Sequence, residues 1–361
     1  MRSLHYCRIA VFIGLALMSS LSLYAKEPPH SFKKIHSFDA STPPGNLAIS
    51  RQGRIFMSTH HFYGAEHKVV EVKKNGKVTP YPTASFSASL NPVLGIVVDT
   101  ENVLWMLETA SAYQRAGRLI GWDLDKNTLF KIIYLAAPHI PKNSFLNDLA
   151  VDRKHEAIFV TDTAGGSNSA LLVVDLETGK VRRVLEGTPF TQPEDIDMVI
   201  DKRVITAGGK PTRIGVNPIT IDSKNEWVYF GAMSGLSLYR ATTKDLLNEA
   251  LSAKALAKKV QRYGDKPISD GIAVDDGGNV YITAITNNAI GMTQPNGQYV
   301  ELFSNDSLSW PDGFAIGPNH QIYFTVNELH RSPVLNKGKN IGLGRFAIFQ
   351  FSALEKASVG R

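Results

Sequence analysis

Asn147, Asn217, Asp270 and Asp312 each open a short apolar run, in "NDLAVD", "NPITID", "DGIAVD" and "DGFAIG". Two carboxylates and two amide oxygens are hard donors, and converging on one point they would suit a divalent cation such as calcium. The same residue types also cap turns at strand starts by bonding to nearby backbone N–H groups. The two roles are separated by whether the chain brings the four copies together. Other chemistries fail earlier. Gly165-Gly166 and Gly208-Gly209 lack phosphate-loop spacing and do not precede helices, and no Gly-x-Ser-x-Gly elbow is present. The acids of "QPEDIDMVID" (192–201) read as an exposed loop and strand.

The elements that would position the four residues repeat along the chain. Aligned on the end of the apolar run, six copies finish at Ser50, Asp99, Asp152, Asp222, Asp275 and Gly317. Each is followed by a polar turn and a second run: "RIFMST", "VLWMLE", "AIFVTD", "WVYFGA", "NVYITA" and "QIYFTV". Hairpins such as "LLVVDLETGKVRRVLEG" and "HKVVEVKKNGKVTPYP" follow, turning at Thr178-Gly179 and Asn75-Gly76. Four antiparallel strands per copy, six times over, predict an all-β six-bladed β-propeller. The last copy is one strand short, and "SFKKIHSF" (31–38) is placed to supply it and close the ring. One segment breaks the pattern: "TTKDLLNEALSAKALAKKVQRYG" (242–264) predicts an amphipathic helix outside the fourth blade.

In a propeller, residues before each innermost strand and after each second strand gather at one end of the channel. The first ring is Asn46, Asn147, Asp148, Asn217, Asp270 and Asp312. The second holds His60, His61, Glu108, Asp162, Asn287, Asn327 and Glu328. Convergent polar groups at a channel mouth are the usual form of a ligand site. The expected ligand-binding set is Asn147, Asp148, Asp162, Asn217 and Asp270, with Asn287, Trp310, Asp312, Asn327 and Glu328. Within it Asn147, Asn217, Asp270 and Asp312 are the expected metal ligands. His60 and His61 are adjacent, so in a strand they would face opposite sides. Trp122, Trp227 and Trp310 read as packing between blades, with Trp310 the best placed to stack on a ligand.

The start of the chain is of another kind. Basic "MRSLHYCR" precedes the uncharged run "IAVFIGLALMSSLSL" (9–23), with Ala25 in a cleavage position. This predicts a signal peptide over 1–25, a propeller over 26–361, and a secreted or periplasmic protein without a membrane anchor. The only cysteine, Cys7, falls in that segment, which leaves the rest without disulfides or thiol chemistry. Removing Arg2 and Arg8 takes the formal charge from +6 to +4. The basic residues form no block, so a nucleic-acid partner is not expected. A monomer binding a small molecule is.

Long phrases resemble the major royal jelly protein and Yellow family. They run from "RIGVNPITIDSKNEWVYFGAMSGLSLYRATTKDL" through "AVDDGGNVYITAITNNAIGM" to "SLSWPDGFAIGPNHQIYFTVNELHR", and include "LNDLAVDRKHEAIFVTDTAGGSNSALLVVDLETGKVRRVLEG". The resemblance spans about residues 40 to 352 and implies a secreted six-bladed propeller binding amine-like or aromatic ligands at its channel mouth. The chain departs from the animal pattern in having no cysteine after the signal segment. The Asn/Asp constellation is also similar to that of the gluconolactonase, regucalcin and paraoxonase group. There a channel metal is held by a Glu with Asn and Asp, which implies Ca2+ and lactone or ester hydrolysis as the alternative. The first-blade Glu of that group is absent here, where "TPPGNLAIS" offers Asn46.

Overall fold

The six repeats fold as six four-stranded antiparallel sheets. Their innermost strands are Pro44–Ile49, Val93–Val98, Leu146–Asp152, Val216–Ile221, Ser269–Val274 and Pro311–Ile316. Each packs against the inner strand of the blade before and after it, and the sixth packs against the first, so the ring is closed. Flanked on both faces, these strands need apolar residues at nearly every position, which is why their sequences do not alternate. This computed structural model describes residues 31–110 and 116–360. The expected signal segment lies outside them, and among the described residues no helix is long and apolar enough to cross a membrane. As expected, Lys33–Phe38 joins the sixth blade, pairing antiparallel with Phe346–Ser352 from Phe38↔Phe346 to Lys33↔Gln350.

All six inner strands carry a one-residue bulge at the same place. In blade 3 the register steps from Leu146↔Asp162 to Leu149↔Val160, and in blade 5 from Ser269↔Ala284 to Ile272↔Ile282. Blades 1, 2, 4 and 6 make the same step. A bulge bends its strand and re-aims the side chains it carries. The shared phrase register seen in the sequence is therefore the register of the bulge. Asn147, Asn217, Asp270 and Asp312 hold its first position, Asn46 and Asp148 its second. Where the second position is glycine, the neighbouring strand leaves no room for a side chain. A Cβ on Gly271 would lie 2.3 Å from the Asp312 carbonyl oxygen. Gly271→Ala is expected to cost about 2 kcal/mol through overpacking. A fall in the urea midpoint at constant m-value would register it, and an unchanged midpoint would show that the strands separate freely.

The expected helix of blade 4 is divided. Thr243–Leu247 and Ala253–Ala257 are short helices capped by Thr242 and Ser252, and Gln261–Asp265 is the outermost strand of the blade. Asn248 leaves the helical region at φ −75°, ψ 100°, which ends the first helix. Pairing of Ser237 with Asp265 then takes 261–265 into the sheet, because completing a blade outweighs helix propensity. Leu246 and Leu256 cover the core between blades 3 and 4.

Two long connections depart from the repeat. Residues 185–215 join blade 3 to blade 4 and hold two small ribbons, Val199–Ile200 with Arg203–Val204 and Thr206–Ala207 with Lys210–Pro211. Residues 327–345 join the second and third strands of blade 6. "QPEDIDMVID" is not merely an exposed loop: Met198 and Ile200 are buried in a cluster with Ile205, Met233, Trp310 and Leu329.

Candidate functional site

The bulges aim side chains from several blades into one end of the channel, and hydrogen bonds tie them into a floor. Asn147 donates to Asn217 Oδ1, and Asn217 Nδ2 donates to Asp270 Oδ1 at 2.7 Å. The Trp310 indole N–H donates to Asp270 Oδ2, also at 2.7 Å. Asn46 Nδ2 reaches Asp148 Oδ1 at 3.1 Å, across blade 2, whose bulge residue Gly95 leaves the space. Asn327 Nδ2 donates to Asp312 Oδ2 at 2.5 Å and to the Pro44 carbonyl at 3.1 Å.

Above this floor lies a cavity of about 390 Å³. Asn46, Asn147, Asp148, Asn217, Asp270 and Asp312 form its polar end. Its walls are apolar and aromatic: Phe62, Phe145 and Trp310 from the blades, Met198, Ile205 and Leu335 from the connections. Arg213 stands at the rim, 3.0 Å from Asp195 and 2.7 Å from Asp197.

Three carboxylates share the floor, and none is paired with a cation among the described residues. Burial pushes Asp148 up to about 7, with the charge of Asp270 adding to the effect. Burial also pushes Asp270 up to about 6, against the hydrogen bonds from Trp310 and Asn217. Asp312 rises well above the usual carboxylate range, through burial and then the charges of Asp270 and Asp148. His60 lines the same cavity, but burial drives its ring well below the ordinary histidine value, so it stays neutral. The floor is thus a desolvated acidic centre lacking a positive partner, and it can take up protons or a cation.

Calcium fits this site in kind but not in arrangement. The donors are all oxygens, as calcium prefers. Yet among the described residues no three acidic, histidine or cysteine side chains converge to grip one ion. Asn217 Oδ1 is also occupied by Asn147.

Residues 92–336, more than half of the chain, match the family described as major royal jelly protein. The chain belongs to that family. No relative among curated proteins matches it in sequence. Among solved structures, a gluconolactonase from Xanthomonas campestris superposes with a TM-score of 0.58 at 13% identity, covering 90% of this chain and 95% of the other. The calcium-binding protein regucalcin from Agrobacterium tumefaciens gives 0.54 at 13%, covering 91% and 98%. Virginiamycin B lyase from Staphylococcus aureus gives 0.53 at 14%, covering 90% and 99%. At such identities the likeness is one of fold.

Most of the remaining sequence-predicted residues of this family member lie outside the cavity. Asp162 is consumed by structure: it accepts from the backbone N–H groups of Phe145 and Ala164 and pairs with Arg183 at 2.6 Å. Glu108 is clamped by Arg118, its direct cross-strand partner. Glu328 is fully buried and accepts from the N–H groups of Leu343 and Arg345. Asn287 is exposed and faces Glu301. Asn327 stands behind Asp312 and positions it. His60 and His61 do not face opposite sides, because the chain leaves the strand at Thr59 and their rings stack 5.2 Å apart at 11°. Of the pair, His60 lines the cavity.

The walls given by the two connections escaped the reading of the sequence. The signal for one was there: the fourth copy follows the third by 70 residues, the longest spacing of the series.

Proposed function

We propose that the protein, secreted or periplasmic, binds a small organic amine with an aromatic or apolar body. The observation that carries this reading is the floor of three unpaired carboxylates beneath apolar and aromatic walls. An ammonium group supplies the missing charge, and the body of the ligand fills the apolar upper cavity. Membership of the royal jelly family supports the same ligand class.

Thermal shift with tyramine, dopamine and tryptamine tests it, against the neutral alcohols that replace the amine in each. The amines are expected to stabilise the protein, by about 2.7 kcal/mol at a hundredfold excess over Kd, and the alcohols are not. Equal shifts from both sets, or none at millimolar amine, would sink the reading.

Divalent-ion-dependent lactone or ester hydrolysis is the second reading. The oxygen-only donors at one register in four blades favour it, as does the gluconolactonase described above. Elemental analysis of the purified protein, with lactone hydrolysis measured before and after chelation, separates the two.

A further inference from the structure

The outer rim of the cavity has a composition of its own. Its two connections are clasped: the Asp201 carboxylate accepts from Arg331 at 2.5 Å and lies 3.1 Å from His330 Nε2. Arg203 donates to Asn336 Oδ1 at 2.9 Å and to the His330 carbonyl at 3.1 Å. The connections therefore present one surface. On it Val199, Val334, Ile341 and Leu343 are 43%, 55%, 43% and 57% exposed. Among them Lys202, Lys210, Lys337 and Lys339 are exposed and, among the described residues, form no ion pair. Residues 329–345 contain no acid at all. The rim acids Asp195 and Asp197 flank Arg213 and leave the lysines unpaired.

Large apolar side chains held in water beside uncompensated lysines have a physical partner. The apolar groups enter the acyl boundary of a bilayer while the lysines reach its anionic headgroups. We propose that this face docks the protein on an anionic lipid bilayer, with the cavity mouth opening into the interface. Val334 links the two features, since it lines the cavity and is also exposed on the rim. A nucleic acid would use the lysines but gain nothing from the four apolar side chains. Docking depends only on outward-facing residues, so it holds whatever the acidic floor binds.

Co-sedimentation of the purified protein with vesicles tests it, comparing phosphatidylcholine alone with a phosphatidylcholine–phosphatidylglycerol mixture. Binding is expected to the mixture only, with release at about 1 M salt, where the screening length falls to roughly 3 Å. The double variant K337E/K339E should weaken it by about twenty-five-fold or more, taking roughly fivefold per lysine. The double variant I341S/L343S should weaken it with less dependence on salt. Equal partition onto both vesicle types, no partition at all, or full binding by both variants would overturn the proposal. Binding of duplex DNA without binding of vesicles would do the same. The comparison of vesicles needs no variant, so it decides even where a substitution disturbs folding.

Discussion

Asp148→Asn is expected to weaken amine binding at least tenfold at about pH 8 while stabilising the free protein by roughly 2 kcal/mol. The substitution is nearly isosteric in its bonding. Asp148 Oδ1 accepts from both Asn46 Nδ2 (3.1 Å) and the Leu149 N–H (2.9 Å), and an asparagine oxygen keeps both. What disappears is a charge that shares a desolvated site with Asp270 and Asp312. The sign of the pH dependence follows from where the carboxyls titrate. Asp148 does so at about 7 and Asp270 at about 6 in the folded protein, both above the unfolded value of roughly 3.9. The folded state therefore binds more protons, and stability rises as pH falls from above 7 towards 4, the reverse of the usual carboxylate behaviour. A tenfold gain in proton affinity on folding is worth about 1.4 kcal/mol. Asp148 lines the cavity and is only partly buried, so solvent screening limits the whole rise to a few kcal/mol. A bound ammonium reverses the linkage: it holds the carboxylates ionised, and its affinity falls as pH drops through about 7 and 6, where Asp148 and Asp270 of the free protein take up protons. Urea titrations at both ends of this range, with and without tyramine, measure all of it. A variant that binds like the parent, with an unchanged pH profile, would show the floor to be structural.

The repeat made most of the fold legible from the residues alone. Runs such as "LAVD" and "IAVD" are apolar at consecutive positions because both faces of an inner strand are covered, and their shared register set Asn147, Asn217, Asp270 and Asp312 at one level, although the bulge itself was not legible. Six of the ten expected ligand residues, Asn147, Asp148, Asn217, Asp270, Trp310 and Asp312, line one cavity for that reason. Of the other four, Asp162 diverges because spacing reports register but not the partner that reaches in from an outer strand. It meets Arg183 from the fourth strand of its blade, and Glu108, in the second ring but not among the ten, likewise meets Arg118 from the third. Each carboxylate is neutralised by a cation more than nine residues along the chain, whereas Asp148, Asp270 and Asp312 find none. That difference separates the floor from the caps, and it is a property of packing. The roof was illegible for a related cause. Residues 198–213 hold only two-residue ribbons and 329–345 only short turns, neither with a hydrophobic period, and their apolar side chains acquire a role only when both connections fold over the same opening.

Trp310 couples floor to roof, and two substitutions separate its roles. Its indole is almost fully buried, donates to Asp270 Oδ2 at 2.7 Å, and lies nearly parallel to His330 at 6.0 Å. Its backbone sits at φ 56°, in the left-handed region that a large residue enters only when its surroundings hold it there. Trp310→Ala removes the ring from beneath both connections and is expected to cost about 3–5 kcal/mol through the void it leaves. Amine binding should be lost with it, since Met198, Leu329 and His330 lose the surface they pack on. Trp310→Phe keeps a ring against His330 and deletes the N–H. It should cost only about 1–3 kcal/mol, the penalty for a buried acceptor left without its donor. The distinguishing readout is the pH profile. Without the indole proton Asp270 loses one of the two hydrogen bonds that hold its value down, so the midpoint of the stability rise should move to higher pH. If the phenylalanine variant keeps the parental midpoint, the indole serves the roof alone. If the midpoint moves and amine affinity falls in parallel, the residue that seals the cavity also sets the charge of its floor.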